Sequence, residues 1–303
     1  MTIRGRRIGV ITPILLLALF GSVRAESPDP ARGSDAVPVH VAYTVNIFRQ
    51  MAENDIKAAI KVWGRALADE MAVNSYADVE VFPDAETVVR LFEAKRADLG
   101  SLTMRDYLQF EERLDIDPIF AVTQEGVSTV EYVILVRRES GYRHLADLRG
   151  ADLRSFDSPR TSLAMPWVEV LLAEQGVGSA ADFFSRIESA TKLSAVVLPV
   201  FFRQSNACLV TRDGFQTMVE LNPQVGRDLR VLEKSPSVVP MISFLRRDFR
   251  PHFRQNLIDS IVDLNSSAAG RQILDMMQCG GVAILPSDAL DTSRAVMQKW
   301  NRR

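Results

Sequence analysis

Ser158, Pro159, Arg160, Thr161 and Ser162 follow one another where a strand-like run, Asp152–Phe156, gives way to a helical pattern. Serine before a helix and proline at its first position are both favoured there. The main-chain N–H groups of Arg160, Thr161 and Ser162 then have no acceptor inside the helix, and the helix dipole places partial positive charge on them. With the hydroxyls of Ser158, Thr161 and Ser162 as further donors, this is the chemistry of an anion site. The same residues equally make an ordinary capped helix turned to water. Arg160 divides the same way: its forked guanidinium suits a phosphate or carboxylate, and a solvated arginine in a first turn is as common.

Nothing in the chain points to covalent or metal chemistry. His40, His144 and His252 do not fall at metal-ligand spacing, and no zinc-protease, nucleophile-elbow, phosphate-loop or Cys-x-x-Cys pattern occurs. The reading is therefore a binding protein, not an enzyme, with no cofactor. Thirty-six basic and 38 acidic residues are interspersed for a net charge of −2, so nucleic acid is not an expected partner. Of two cysteines, Cys208 lies in an apolar strand pattern that favours a buried free thiol over pairing with Cys279.

These residues need a scaffold. Arg4, Arg6 and Arg7 precede an apolar run from Ile8 to Phe20, and Val23-Arg24-Ala25 offers small residues at the −3 and −1 positions, so residues 1–25 read as a signal peptide cleaved after Ala25. Residues 26–37 read as a tether, and the exported chain is expected in the periplasm as a monomer. Strand-like and helical patterns then alternate: Val37–Thr44, an apolar stripe through Ile56, Ile60, Trp63 and Leu67, Val79–Phe82, Ala85–Lys95 and Asp98–Leu102. Such alternation implies an α/β fold, with mostly parallel sheets flanked by helices. A turn at Glu125–Ser128 suggests a first crossing into a second lobe. That gives 38–126 as the first part of lobe 1, 127–230 as lobe 2, and 231–303 as the rest of lobe 1 with C-terminal helices at Phe253–Leu264, Arg271–Gln278 and Asp288–Trp300. Two crossings make a hinge, and a ligand would sit between the lobes at strand C-terminal ends.

The order of elements, Asp157-Ser158-Pro159-Arg160-Thr161-Ser162, Arg203-Gln204-Ser205-Asn206-Ala207 before a strand, and Leu232–Pro236 followed by Val239-Pro240 together resemble the phosphonate/phosphite/phosphate-type ABC transporter substrate-binding proteins. The resemblance spans roughly Val39 to Leu285. It implies a two-lobed type II periplasmic binding fold that closes on a small oxyanion and delivers it to an ABC permease. It carries the family's hydroxyl-rich helix start onto Ser158, Thr161 and Ser162, its aromatic residue after the first strand onto Tyr43 with Asn46 nearby, and its small polar residue ending the third strand onto Ser101 or Thr103. Three departures bear on the ligand. Arg160 adds a guanidinium and Leu163 replaces a glycine; Asn206 stands where the family has an aspartate, which argues against an aminoalkyl ligand; and Arg203 replaces a glycine. Tyr43, Tyr132 and Trp167 either wall the cleft or belong to the core, Arg246-Arg247 reads as a solvated turn, and Pro199 conflicts with a regular helix. The alternative within the same fold is a periplasmic sensing module that reports to a membrane signalling protein.

Overall fold

A computed structural model describes residues 36–48, 52–70, 72–276 and 280–303. The expected signal peptide, most of the tether and Cys279 lie outside them. Strand β1 (Val37–Thr44) leads to helix α1 (Glu53–Glu70), whose Ile56, Ile60 and Trp63 are buried against the sheet as their spacing predicts. Strand β2 (Ser75–Phe82) returns parallel to β1, in register from Val37↔Ser75 to Thr44↔Phe82. Helix α2 (Ala85–Glu93) starts where the Asp84 carboxylate accepts the Thr87 N–H at 2.7 Å, and buries Val88, Val89 and Phe92. It leads into β3 (Leu99–Thr103), α3 (Met104–Phe110) and β4 (Ile116–Thr123). Gly100 in β3 is required: a Cβ there would stand 2.8 Å from the Phe92 ring and 3.1 Å from the Ala42 carbonyl.

The chain then crosses. Strand β5 (Tyr132–Arg137), β6 (Asp152–Phe156), α4 (Ala164–Glu174), α5 (Ala180–Phe183), β7 (Arg186–Ala190), α6 (Leu193–Phe201), β8 (Ala207–Thr211), α7 (Arg212–Leu221), α8 (Pro223–Asp228) and β9 (Leu229–Lys234) build the second lobe. Pro199 lies inside α6, so the helix forms despite the proline that conflicts with a regular pattern. The return brings β10 (Met241–Arg246), α9 (Arg254–Val262), α10 (Ala268–Met276), β11 (Gly281–Ile284) and α11 (Asp291–Asn301).

Two sheets result, ordered β11-β4-β10-β3-β1-β2 and β7-β6-β8-β5-β9. Each joins a parallel half to an antiparallel half, and is mixed where the pattern of alternation leads to a mostly parallel sheet. The difference comes from β10 and β11, which the sequence pattern does not announce, and from β5, which runs against both of its neighbours, β8 and β9. Because β9 pairs with β5, the chain stays in the second sheet to Lys234, and the second crossing is Ser235–Pro240 rather than residue 231. The two crossings are tied to each other: Val130 and Val238 exchange main-chain hydrogen bonds of 2.8 and 2.9 Å, and the Tyr132 N–H donates to Ser235 Oγ at 2.7 Å. One apolar cluster runs through this hinge. It joins Val88, Leu102 and Phe244 of the first lobe to Tyr132, Leu163 and Trp167 of the second and to Leu290, Val296 and Met297 at the C-terminal end.

Candidate ligand-binding cleft

A cavity of about 310 Å³ opens between the two sheets at the C-terminal ends of β1, β3, β6 and β7. The first lobe contributes Asn46, Thr103, Arg105, Asp106 and Gln109; the second contributes Ser155 to Pro159, Thr161, Ser162, Met165, Pro166 and Ser189. Ser158, Pro159, Thr161 and Ser162 of the turn thus line the gap between the lobes. Its internal bonding differs from expectation. No helix runs from Pro159: a 3-10 turn, Pro159–Thr161, comes first, and the α-helix begins at Ala164. Ser158 Oγ accepts the Arg160 N–H at 3.2 Å, and the Ser158 carbonyl accepts the Thr161 N–H at 3.0 Å. Thr161 Oγ1 accepts the Ser158 N–H at 3.0 Å and donates within the turn, 2.8 Å from the Phe156 carbonyl. Ser162 Oγ donates to the Pro240 carbonyl at 3.2 Å, pinning the turn to the second crossing.

Of the three amides expected to be unpaired, only the Ser162 N–H lacks a protein acceptor among the described residues, and of the three hydroxyls only Ser158 keeps its proton for a ligand. Thr161 and Ser162 shape the turn. Thr103 is similarly engaged, capping α3 by accepting the Asp106 N–H at 3.2 Å and donating to Asp106 Oδ2 at 2.8 Å. The hydroxyls of Ser155 and Ser189 have no protein partner among the described residues and line the same cavity. Ser155 carries a signal that composition alone hides: it shares the inward face of β6 with Leu153, at a position where a strand ordinarily places an apolar residue.

Arg160 points away from the cavity. Its guanidinium meets Asp213 Oδ2 at 2.5 Å and Gln124 Oε1 at 3.1 Å, so it braces the first crossing against the start of α7. Burial alone would raise the Asp213 carboxyl; Arg160, with hydrogen bonds from Thr211 and Gly214, outweighs it and holds that carboxyl below the usual carboxylate range. A carboxyl depressed in the folded state stabilises above its unfolded value, about pH 4, and the contribution is lost as pH falls through the folded value. Both side chains are about a third exposed, so the effect is that of a surface pair, at most about 1 kcal/mol. Urea unfolding between neutral and acid pH should show a shallower acid loss for Asp213→Asn than for the wild type; parallel curves would refute the coupling.

The other sequence candidates separate cleanly. Asn46 lines the cavity. Tyr43 belongs to the core of the first lobe, 9% exposed and edge-on to Phe48 at 5.3 Å, with burial pushing its phenol up to about 12. Tyr132 and Trp167 are also core, and the Tyr132 hydroxyl donates to the Arg160 carbonyl at 3.1 Å. Asn206 stands at the opposite end of β8 from the cleft, accepting the Asp152 N–H at 3.2 Å and donating to Tyr142 at 3.1 Å. Its amide stands away from the cavity; among the described residues the carboxylates in the cavity wall are Asp106 and Asp157. Arg203 adopts φ +63°, the left-handed region that favours the glycine it replaces. Arg246 is no solvated turn residue: it is 13% exposed and bound to buried Asp98 at 2.7 Å.

The family model for the periplasmic substrate-binding protein of the phosphonate ABC transporter matches residues 47–289. The chain belongs to this family. Members are non-enzymatic transport components, exported to the periplasm, that serve a small-molecule ligand and a membrane permease. No curated protein sequence matches the chain. Among solved structures it is similar to a Xanthomonas citri protein bound to ATP (TM-score 0.62, 16% identity, covering 88% of this chain and 98% of that one). It is also similar to PhnD1 from Prochlorococcus marinus in complex with methylphosphonate (0.59, 15%, 88% and 99%), and to a binding protein component of an ABC phosphonate transporter from Pseudomonas aeruginosa (0.59, 14%, 88% and 88%). At these identities the likeness establishes the two-lobed fold.

Proposed function

We propose that this protein captures a small oxyanion of the phosphonate, phosphite or phosphate kind between its lobes and presents it to an ABC permease. The observation that supports this reading is the cavity wall itself. Ser155, Ser158 and Ser189 hydroxyls, the Ser162 N–H, the Asn46 amide and the Arg105 guanidinium are gathered around one space at strand ends. Donors without protein partners on several sides of a cavity replace the hydration shell of an anion at little reorganisation cost. Asp106 and Asp157 share that wall, so fixed dipoles rather than net positive charge must hold the ligand.

The test is calorimetry and thermal shift with phosphate, phosphite, methylphosphonate, sulfate and small carboxylates. A ligand at one hundred times its dissociation constant should stabilise the folded protein by about 2.7 kcal/mol. If every oxyanion leaves the melting temperature and the heat signal unmoved, the assignment fails.

A further inference from the structure

We propose that Arg105 is the residue through which this cleft selects the charge of its ligand, and that Trp300 of the C-terminal helix positions it; the inference rests on the oxyanion reading above. Among the described residues, Arg105 is the one cation lining the cavity. Other arginines of the protein are tied to carboxylates: Arg113 to Glu93 at 2.8 Å, Arg160 to Asp213 at 2.5 Å, Arg246 to Asp98 at 2.7 Å and Arg294 to Glu111 at 2.5 Å. No carboxylate lies within ion-pair distance of Arg105 among the described residues. Its guanidinium instead lies over the Trp300 indole, 5.0 Å from the ring centroid. Stacking occupies the flat face of a guanidinium and leaves its N–H edge unpaired, and that edge is what binds an oxyanion bidentately.

Trp300 is itself held from both sides of the cleft. Helix α11 is joined to the first lobe by Arg294 and Glu111, and to α4 of the second lobe by Lys299 with Glu174 at 2.7 Å and by Arg303 with Glu169. The indole therefore presents Arg105 at a fixed place only when helix and lobes are assembled. Among the described residues of the wall, two carboxylates, Asp106 and Asp157, raise the weight of this single cation. With it, one guanidinium edge offsets part of that negative charge and can meet a doubly charged oxyanion directly; without it, the wall repels a dianion more than a monoanion.

The experiment compares wild type, Arg105→Gln, Arg105→Lys, Trp300→Leu and Trp300→Phe by calorimetry with inorganic phosphate and with methylphosphonate. Each is titrated at a mildly acid pH, where the probe is mostly a monoanion, and a mildly alkaline pH, where it is mostly a dianion. Wild type should bind the dianion more tightly. Arg105→Gln should bind it at least about tenfold more weakly and lose the preference, since a charge-assisted hydrogen bond is removed. Lysine should keep the preference in part; Trp300→Leu should weaken and flatten it, and Trp300→Phe should restore it. Arg105 is exposed, so its variants should fold. Unchanged dianion affinity in Arg105→Gln overturns the inference and leaves the oxyanion reading intact. Trp300→Leu with the wild-type pH dependence removes the positioning role. Failure of wild type to bind either probe overturns both readings.

Discussion

Replacing Ser158 with Asp should abolish oxyanion capture while leaving the protein as stable as before. Aspartate is as good an N-cap as serine, so its carboxylate can accept the Arg160 N–H that Ser158 Oγ accepts at 3.2 Å, and the 3-10 turn survives. The same carboxylate stands in the cavity wall beside Asp106 and Asp157, where a like charge against an incoming anion costs several kcal/mol. Affinity should fall by at least about a hundredfold, with melting temperature and circular dichroism unchanged. A variant that binds as the wild type does would show that the anion is held elsewhere; one that unfolds would show that the turn tolerates no charge at all.

The largest effect on stability is expected at Tyr132. Its side chain is fully buried at the start of β5, lies 6.4 Å from the Trp167 ring, and reaches with its hydroxyl to the Arg160 carbonyl, while its N–H is held by Ser235 Oγ in the other crossing. Tyr132→Ala removes a whole aromatic ring from the apolar cluster that passes through the hinge and should cost about 3–5 kcal/mol in urea unfolding. Tyr132→Phe keeps the ring and loses one hydrogen bond, so about 1 kcal/mol is expected. If the two variants are equally destabilised, the ring is not what holds the hinge. Burial in this apolar cluster also pushes the Tyr132 phenol well above its ordinary value, so it stays neutral at any pH at which the protein is handled.

The outline of this protein was legible because its first lobe follows simple periodicities. The stripe Ile56, Ile60, Trp63 is a helix face, Asp84 is a cap, and the turn at Glu125–Ser128 is where the chain leaves the first sheet. Strand β10 was not legible: it is six residues long, follows Pro240 and ends in Arg246, and its charged end is hidden by pairing with Asp98, which no local pattern reveals. The cleft was legible in one segment. Residues 158–162 were found by their turn chemistry, but which of their donors are free depends on Thr161 and Ser162 bonding to Phe156 and Pro240, contacts invisible to spacing. Arg105, Gln109 and Ser189 look like ordinary polar residues on short elements, and only the approach of the two sheets makes them neighbours. Asn206 shows the converse risk. It does precede a strand, yet the strand runs so that this end lies away from the cleft.

The last helix lends the molecule a fastener with two unequal ends. Its apolar side, with Val296 and Met297, is sunk in the shared cluster, whereas its ties to Glu111, Glu174 and Glu169 are ion pairs at the rim. Rim pairs of this kind each contribute at most about 1 kcal/mol and fade with salt. If the lobes swing apart, α11 must stay with one and let go of the other, and the lighter bonds yield first. A fusion placed after Arg303 would thus load the very piece that has to choose a side.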